Sequence, residues 1–237
     1  MSTSTRTAVA TLSAGIAAAL PGCGAGGSPT SRPPSSPPVV VAAPTARYEV
    51  LFETAWSAAS HPSDFPANPH LSPLIGATHS SAVGFWRPGR LATEGIEAMA
   101  ELGSVTPLDL EVQGAIAAGT AQHLLRGEGI ARSPGATRVE FEVGRDHPLV
   151  TLVSMIAPSP DWFVGVHDLS LMEGGDWVAE RVATLWPYDA GTDRGRSYSS
   201  PDLDSQPREP VRQIDGFPFD VGGPVAPVGT FTFRRLP

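Results

Sequence analysis

Lysine is absent from this chain. All 16 basic residues are arginine, set against 24 aspartates and glutamates for a net charge of -8. An acidic chain without an arginine-rich run makes a poor nucleic-acid binder, because phosphate contacts need a basic patch or stripe. Cysteine is reduced to a single residue, Cys23. If Cys23 is consumed by lipid modification, the mature domain has no disulfide, no zinc–thiolate site and no cysteine nucleophile. No Gly-x-Ser-x-Gly elbow, no Ser/His/Asp order and no phosphate-cradling glycine loop stands out. The apolar run near the N-terminus is too short and too rich in alanine for a membrane span. No internal repeat is visible.

Glycine and proline, by contrast, number 25 each among 237 residues. Most of that excess falls between apolar segments, which favours a β-rich domain with many turns over a helical bundle. Residues 1–22 place Arg6 ahead of an alanine-rich apolar stretch and carry no acid, the order of an export signal. Leu20-Pro21-Gly22-Cys23 is similar to a bacterial lipobox, with Pro21 departing from the usual small or β-branched residue, and marks Cys23 as the expected lipidation site. Residues 23–46 are rich in Pro, Ser and Gly and read as an extended tether. The globular domain is expected over 47–237.

Within that domain the hydrophobic period is mostly two. Tyr48, Val50, Phe52, Thr54 and Trp56 alternate with Glu49, Leu51, Glu53 and Ala55, which predicts a strand. Val139, Phe141 and Val143 do the same against Arg138, Glu140 and Glu142. Leu149 to Ala157 is almost continuously apolar, as in a central strand buried on both faces. Trp162–Leu171, Trp177–Leu185, Val211–Ile214 and Thr230–Arg234 complete the expected set. Residues 92–102 carry Ile96, Met99 and Ala100 at helical spacing, with Gly103 as a stop. A second helix is expected from Pro107, capped by Thr106, to about Leu125, although Gly114 and Gly119 weaken it. The pattern predicts a mainly β protein, an antiparallel β-sandwich with one or two short helices.

Two turn-rich loops carry the chemistry. Ala157-Pro-Ser-Pro-Asp-Trp-Phe163 places Asp161 after two stiffening prolines, and Pro187-Tyr-Asp-Ala-Gly-Thr-Asp193 places Asp189 and Asp193 about Gly191. Adjacent strands would bring Asp161, Asp189 and Asp193 to one end of a sandwich, where three carboxylates call for a cation. On spacing alone the choice between a turn and a metal stays open, since turn aspartates commonly bond their own backbone. Asp168 and Asp176 are lesser candidates, read as a strand-edge residue and a turn residue. His61, His70 and His79 match no zinc spacing and read as structural histidines. Trp56, Trp86, Trp162, Trp177 and Trp186 read as core and rim packing.

Several stretches together carry a resemblance: Trp56-Ser57, His61-Pro62, Asp64-Phe-Pro66, Leu71-Ser-Pro-Leu-Ile-Gly-Ala-Thr-His79, Gly95-Ile-Glu-Ala-Met-Ala-Glu101, His147-Pro-Leu-Val150, Met155 through Val166, Pro187 through Asp193 and Ser197-Tyr-Ser-Ser-Pro201. In this order they resemble the spondin domain, the N-terminal module of F-spondin and mindin that also occurs in bacterial proteins. The resemblance implies a C2-like sandwich with calcium in its end loops, and the family's acidic positions match Asp161, Asp189 and Asp193. It further implies a non-enzymatic role in adhesion or recognition at a cell surface or in extracellular material. The expected protein is therefore exported, as an envelope lipoprotein or in secreted form. Its partner would be a surface or extracellular protein, glycan or lipid, with membrane attachment through the lipid anchor only. The cysteines usual in the animal modules are missing here. A metal-dependent envelope hydrolase and a calcium-dependent peripheral lipid-binding module are the competing readings.

Overall fold

The computed structural model describes residues 43–220 and 222–237. The expected export signal, Cys23 and the expected tether up to residue 42 lie outside the described residues. Strand β1 (Thr45–Thr54) begins the domain, two residues ahead of the Arg47 boundary. Its alternation is realised: Tyr48, Val50, Phe52 and Thr54 are buried while Thr45, Arg47 and Glu53 are exposed.

β2 (His70–Leu71) and β3 (Leu74–His79) follow, then α1 (Glu94–Leu102) and α2 (Leu108–Ala117). The long strands β4 (Ala121–Gly127), β5 (Gly135–Gly144), β6 (Leu149–Ala157) and β7 (Trp162–Ser170) come next. A small hairpin pairs β8 (Met172–Glu173) with β9 (Asp176–Trp177), ahead of β10 (Glu180–Leu185). β11 (Tyr188–Asp189), β12 (Arg212–Gln213) and β13 (Gly229–Arg235) complete the order.

One sheet runs β10-β13-β1-β5 and the other β12-β11-β7-β6-β3-β4, with β2 added alongside β6. The pairings are antiparallel, so the expected mainly β sandwich with two short helices is present. Tyr48, Val50 and Phe52 of β1 and Phe231 and Phe233 of β13 pack with Val150, Leu152, Ile156 and Val164 between the sheets. Alternate residues of β6 point the other way. Val153 and Met155 join Ile75 and Ala77 of β3 against Ile96 and Met99 of α1 and Leu108 and Val112 of α2. The period of two thus explains why β6 is almost continuously apolar: one parity fills the sandwich and the other seats the helices.

α1 is built as its sequence indicates. The Thr93 side chain accepts from the Ile96 amide, and Gly103 ends the helix at φ 64°. Glu111 of α2 reaches across to accept from the Gly95 amide at 2.7 Å and the Thr93 hydroxyl at 2.8 Å, tying the two helices together. α2 is shorter than its pattern suggests. It ends at Ala117, and residues 121–127 are strand β4, paired with β3 from Ile75↔Arg126 to Thr78↔His123. Gly119 at φ 72° breaks the helix, and pairing with β3 then overrides local helix propensity. Thr106 is not the cap: Pro107 occupies that position without a side-chain cap bond. The expected 177–185 strand is divided into β9 and β10, and 211–214 shrinks to the two-residue edge strand β12. Among the described residues no helix is long and apolar enough to cross a membrane.

Candidate metal centre

Asp161 stands immediately before β7 and Asp189 ends β11. These strands pair with Asp189 opposite Trp162, and the Ala190 amide donates to the Asp161 carbonyl at 3.1 Å. Asp193 lies four residues after Asp189, in a β-bridge with Asp204. The fold therefore brings the three candidate aspartates to one end of the sandwich. All are buried, Asp161 completely.

Each carboxylate organises its loop. Asp161 Oδ2 accepts from the amides of Thr192 at 2.8 Å and Asp193 at 3.1 Å, with the Thr192 hydroxyl at 3.4 Å. Asp189 Oδ1 accepts from the Gly191 amide at 2.9 Å, and its Oδ2 takes Arg212 at 2.6 Å. Asp193 Oδ1 accepts from the Gly195 amide at 2.5 Å and Oδ2 from the Leu203 amide at 2.7 Å. Gly191 is obligatory: it sits at φ 76°, and a Cβ there would come within 2.1 Å of the Glu209 carbonyl oxygen.

One oxygen is left over. Asp161 Oδ1 is buried with no hydrogen-bond partner. Burial, then the charge of Asp189, push the Asp161 carboxyl up to about 7, against the pull of the Asp193 and Thr192 amides. Burial also raises Asp189, opposed by Arg212 and the Gly191 amide. Glu101, in the last turn of α1, is raised chiefly by burial, with Glu97, Asp193 and Asp202 adding to it. Glu101 and Asp202 border a cavity of about 200 Å³ together with Asp193, Ser159 and Ser200. Neither was a candidate from sequence, because nothing in the spacing links a helix end at 101 to a turn at 202.

Among the described residues no three His, Cys, Asp or Glu side chains converge tightly enough to form a metal cage by themselves. Asp189 and Asp193 already spend oxygens on backbone amides and on Arg212. The unmet demand is concentrated on Asp161 Oδ1, and a buried carboxylate oxygen without a partner fits a hard cation. The residues suit calcium with Asp161 as anchor and Asp189 and Asp193 as flanking charges. Further oxygen ligands would come from main-chain carbonyls and water.

The Spondin_N family model matches residues 46–222. This chain belongs to the Spondin_N family. The spondin domain here is 35% identical to rat (Rattus norvegicus) Spondin-2 over 214 residues, 89% of the chain and 63% of that protein. It is 35% identical to human (Homo sapiens) Spondin-2 over 81% of the chain and 57% of that protein. It is 36% identical to chicken (Gallus gallus) Spondin-1 over 72% of the chain and 22% of that protein. The chain thus spans less than two thirds of the length of each of these animal relatives. The matched segment includes all three aspartates; Cys23 falls outside it.

Other candidates of the spondin domain sit elsewhere. His61 bonds Ser60 and the Ala226 carbonyl, His70 the Asn68 carbonyl, and His79 the Ser80 carbonyl and Thr151. Each is satisfied locally, in keeping with a structural role. Trp56, Trp86, Trp162 and Trp177 are buried in the two cores. Asp176, read as a turn residue, is exposed at the start of β9, opposite Glu173. Asp168 is more than a strand-edge residue: it adopts φ 50°, and its Oδ2 accepts from Arg87 at 2.7 Å.

Proposed function

We propose that this spondin domain is a non-enzymatic recognition module that works outside the cytoplasm and takes calcium at its loop end. The observation that carries the reading is Asp161 Oδ1, buried and unpartnered beside two further aspartates. Leaving a charged oxygen in that state is costly, and the cost is removed by protonation or by a cation. Calcium would neutralise the carboxylates and hold the 157–162 and 189–205 loops against each other. In this reading the export-signal pattern and the lipobox-like Leu20-Pro21-Gly22-Cys23 support Cys23 as a lipid anchor on a bacterial envelope, and the partner would be a surface or extracellular protein, glycan or lipid.

Recognition is preferred over catalysis because the chain matches the Spondin_N model and the animal spondins. Thr151 lies 2.8 Å from His79 Nε2, but both are buried, so no substrate reaches the hydroxyl. Scanning calorimetry with calcium and with EGTA tests the cation. Calcium should raise Tm by several degrees in the native protein and by nothing measurable in Asp161→Asn. Equal Tm in calcium and EGTA for the native protein would sink the reading.

A further inference from the structure

On the outer face of the helix-covered sheet, the segment 84–93 forms a shallow cavity of about 300 Å³ lined by Gly84, Trp86, Arg87, Arg90, Leu91 and Thr93 among others. The residues that line it include no carboxylate, although Asp168 stands beside Gly84 and Arg87 and the chain carries a net charge of -8. Arg90 joins none of the ion pairs among the described residues. The turn that presents both arginines is fixed at its base. The Gly89 amide donates to the Val211 carbonyl and the Val211 amide to the Arg90 carbonyl, each at 2.8 Å. The floor is rigid as well: Trp86 packs edge-on against Phe163, His167 and Tyr188, each with centroids 4.9 Å away, and its indole N–H has no acceptor.

Arg87 is held by a relay that runs into the core. Buried His79 donates from Nδ1 to the Ser80 carbonyl, so its Nε2 accepts from the Thr151 hydroxyl. Thr151 Oγ1 in turn accepts from the Asp168 amide at 3.3 Å. That contact belongs to a residue in the left-handed region at φ 50°, a conformation that costs energy for a residue with a Cβ. Asp168 Oδ2 then takes Arg87 Nη2 at 2.7 Å. The remaining N–H groups of Arg87 have no partner among the described residues. An exposed guanidinium held in place beside a cavity, with donors left over, is available to a ligand.

We propose that this cavity binds a carboxylate-bearing sugar of an acidic polysaccharide, with Arg87 and Arg90 taking the carboxylate and Leu91 packing on the ring. Arginine forks match a planar carboxylate with two parallel hydrogen bonds. The cavity is at the small end of ligand pockets, sized for one sugar unit with its substituent. Leu91, 58% exposed, supplies the apolar wall that a sugar face needs. Asp168 is a positioning residue in this scheme.

The test is calorimetric titration of the native protein with a galacturonate trisaccharide, a neutral galactose trisaccharide and a glutamate-rich peptide. The uronate should bind, weaken at least tenfold in Arg87→Ala and in Arg90→Ala, and weaken in Arg87→Lys, which keeps charge but loses the fork. Asp168→Asn, which tolerates the left-handed backbone, should lower affinity with Tm unchanged. No uronate binding to the native protein, equal binding of the neutral sugar, or unchanged affinity in both alanine variants would overturn the proposal. Tighter binding of the peptide than of the uronate would overturn the assignment to a sugar. None of these outcomes depends on the Asp161 cation.

Discussion

Asp161 shows how one residue ties sequence to stability. Its carboxyl has an ordinary value of 3.8 when unfolded and about 7 when folded without a cation. Between those values the native state holds a proton that the unfolded state has released. Stability should therefore fall as pH rises from about 4 to about 7 in EGTA, and level off above. A shift of this size corresponds to a loss on the order of 4 kcal/mol at the upper limit. Under the proposed calcium binding the cation would compete with that proton, so it should restore Tm near pH 7.5 and do little at pH 4. A calorimetric pH series in EGTA checks this, and Asp161→Asn should flatten the dependence. A slope of opposite sign would show that Asp161 is charged without a cation. Gly191 belongs to the same scale: its φ 76° and closeness to Glu209 make any side chain there a strain on the loop.

At the scale of elements, the core strands and the α1 cap should respond very differently to truncation. Phe231 of β13 is fully buried and packs 4.9 Å from Phe52 across the β1–β13 pair. Phe231→Ala should cost about 3–5 kcal/mol, the transfer loss plus a cavity. Thr93→Ala removes the α1 cap and one contact to Glu111, and should cost about 1 kcal/mol. Denaturant unfolding measures both; a cap variant as damaging as the core variant would mean that α1 is a larger part of the cooperative unit than its packing indicates. The elements also show where sequence reasoning stopped. β1 and β5 are legible because one face is wet, and β6 because it is almost continuously apolar. β4 carries the pattern of a continuation of α2, since pairing with β3, more than forty residues earlier, leaves no local trace. β3 gives no strand signal: all six of its residues are buried, so its sequence shows no alternation.

For the whole molecule, the described domain has no cysteine and holds itself together by two apolar cores on either side of one sheet. If Cys23 carries the proposed lipid anchor, attachment and stability are separable. Cys23→Ser should move the protein from the membrane fraction to the soluble exported fraction and leave Tm of the purified domain unchanged. Retention of the variant in the membrane fraction would rule out Cys23 as the anchor. Recognition should likewise survive release, because the loop end and the Arg87–Arg90 cavity both belong to the sandwich.

The sequence by itself determined the alternating strands, the start and stop of α1, the two aspartate loops and the family. These are written in short-range patterns of burial, turn chemistry and motif order. Only the tertiary structure decided which oxygens of Asp189 and Asp193 are already committed, that Asp161 keeps one open, and that Glu101 and Asp202 border a cavity with Asp193. It alone joined Arg87 to Asp168 across 81 residues and Arg212 to Asp189 across 23. Hydrogen-bond partners at such separations depend on how sheets stack and loops close, and a linear pattern does not carry that geometry.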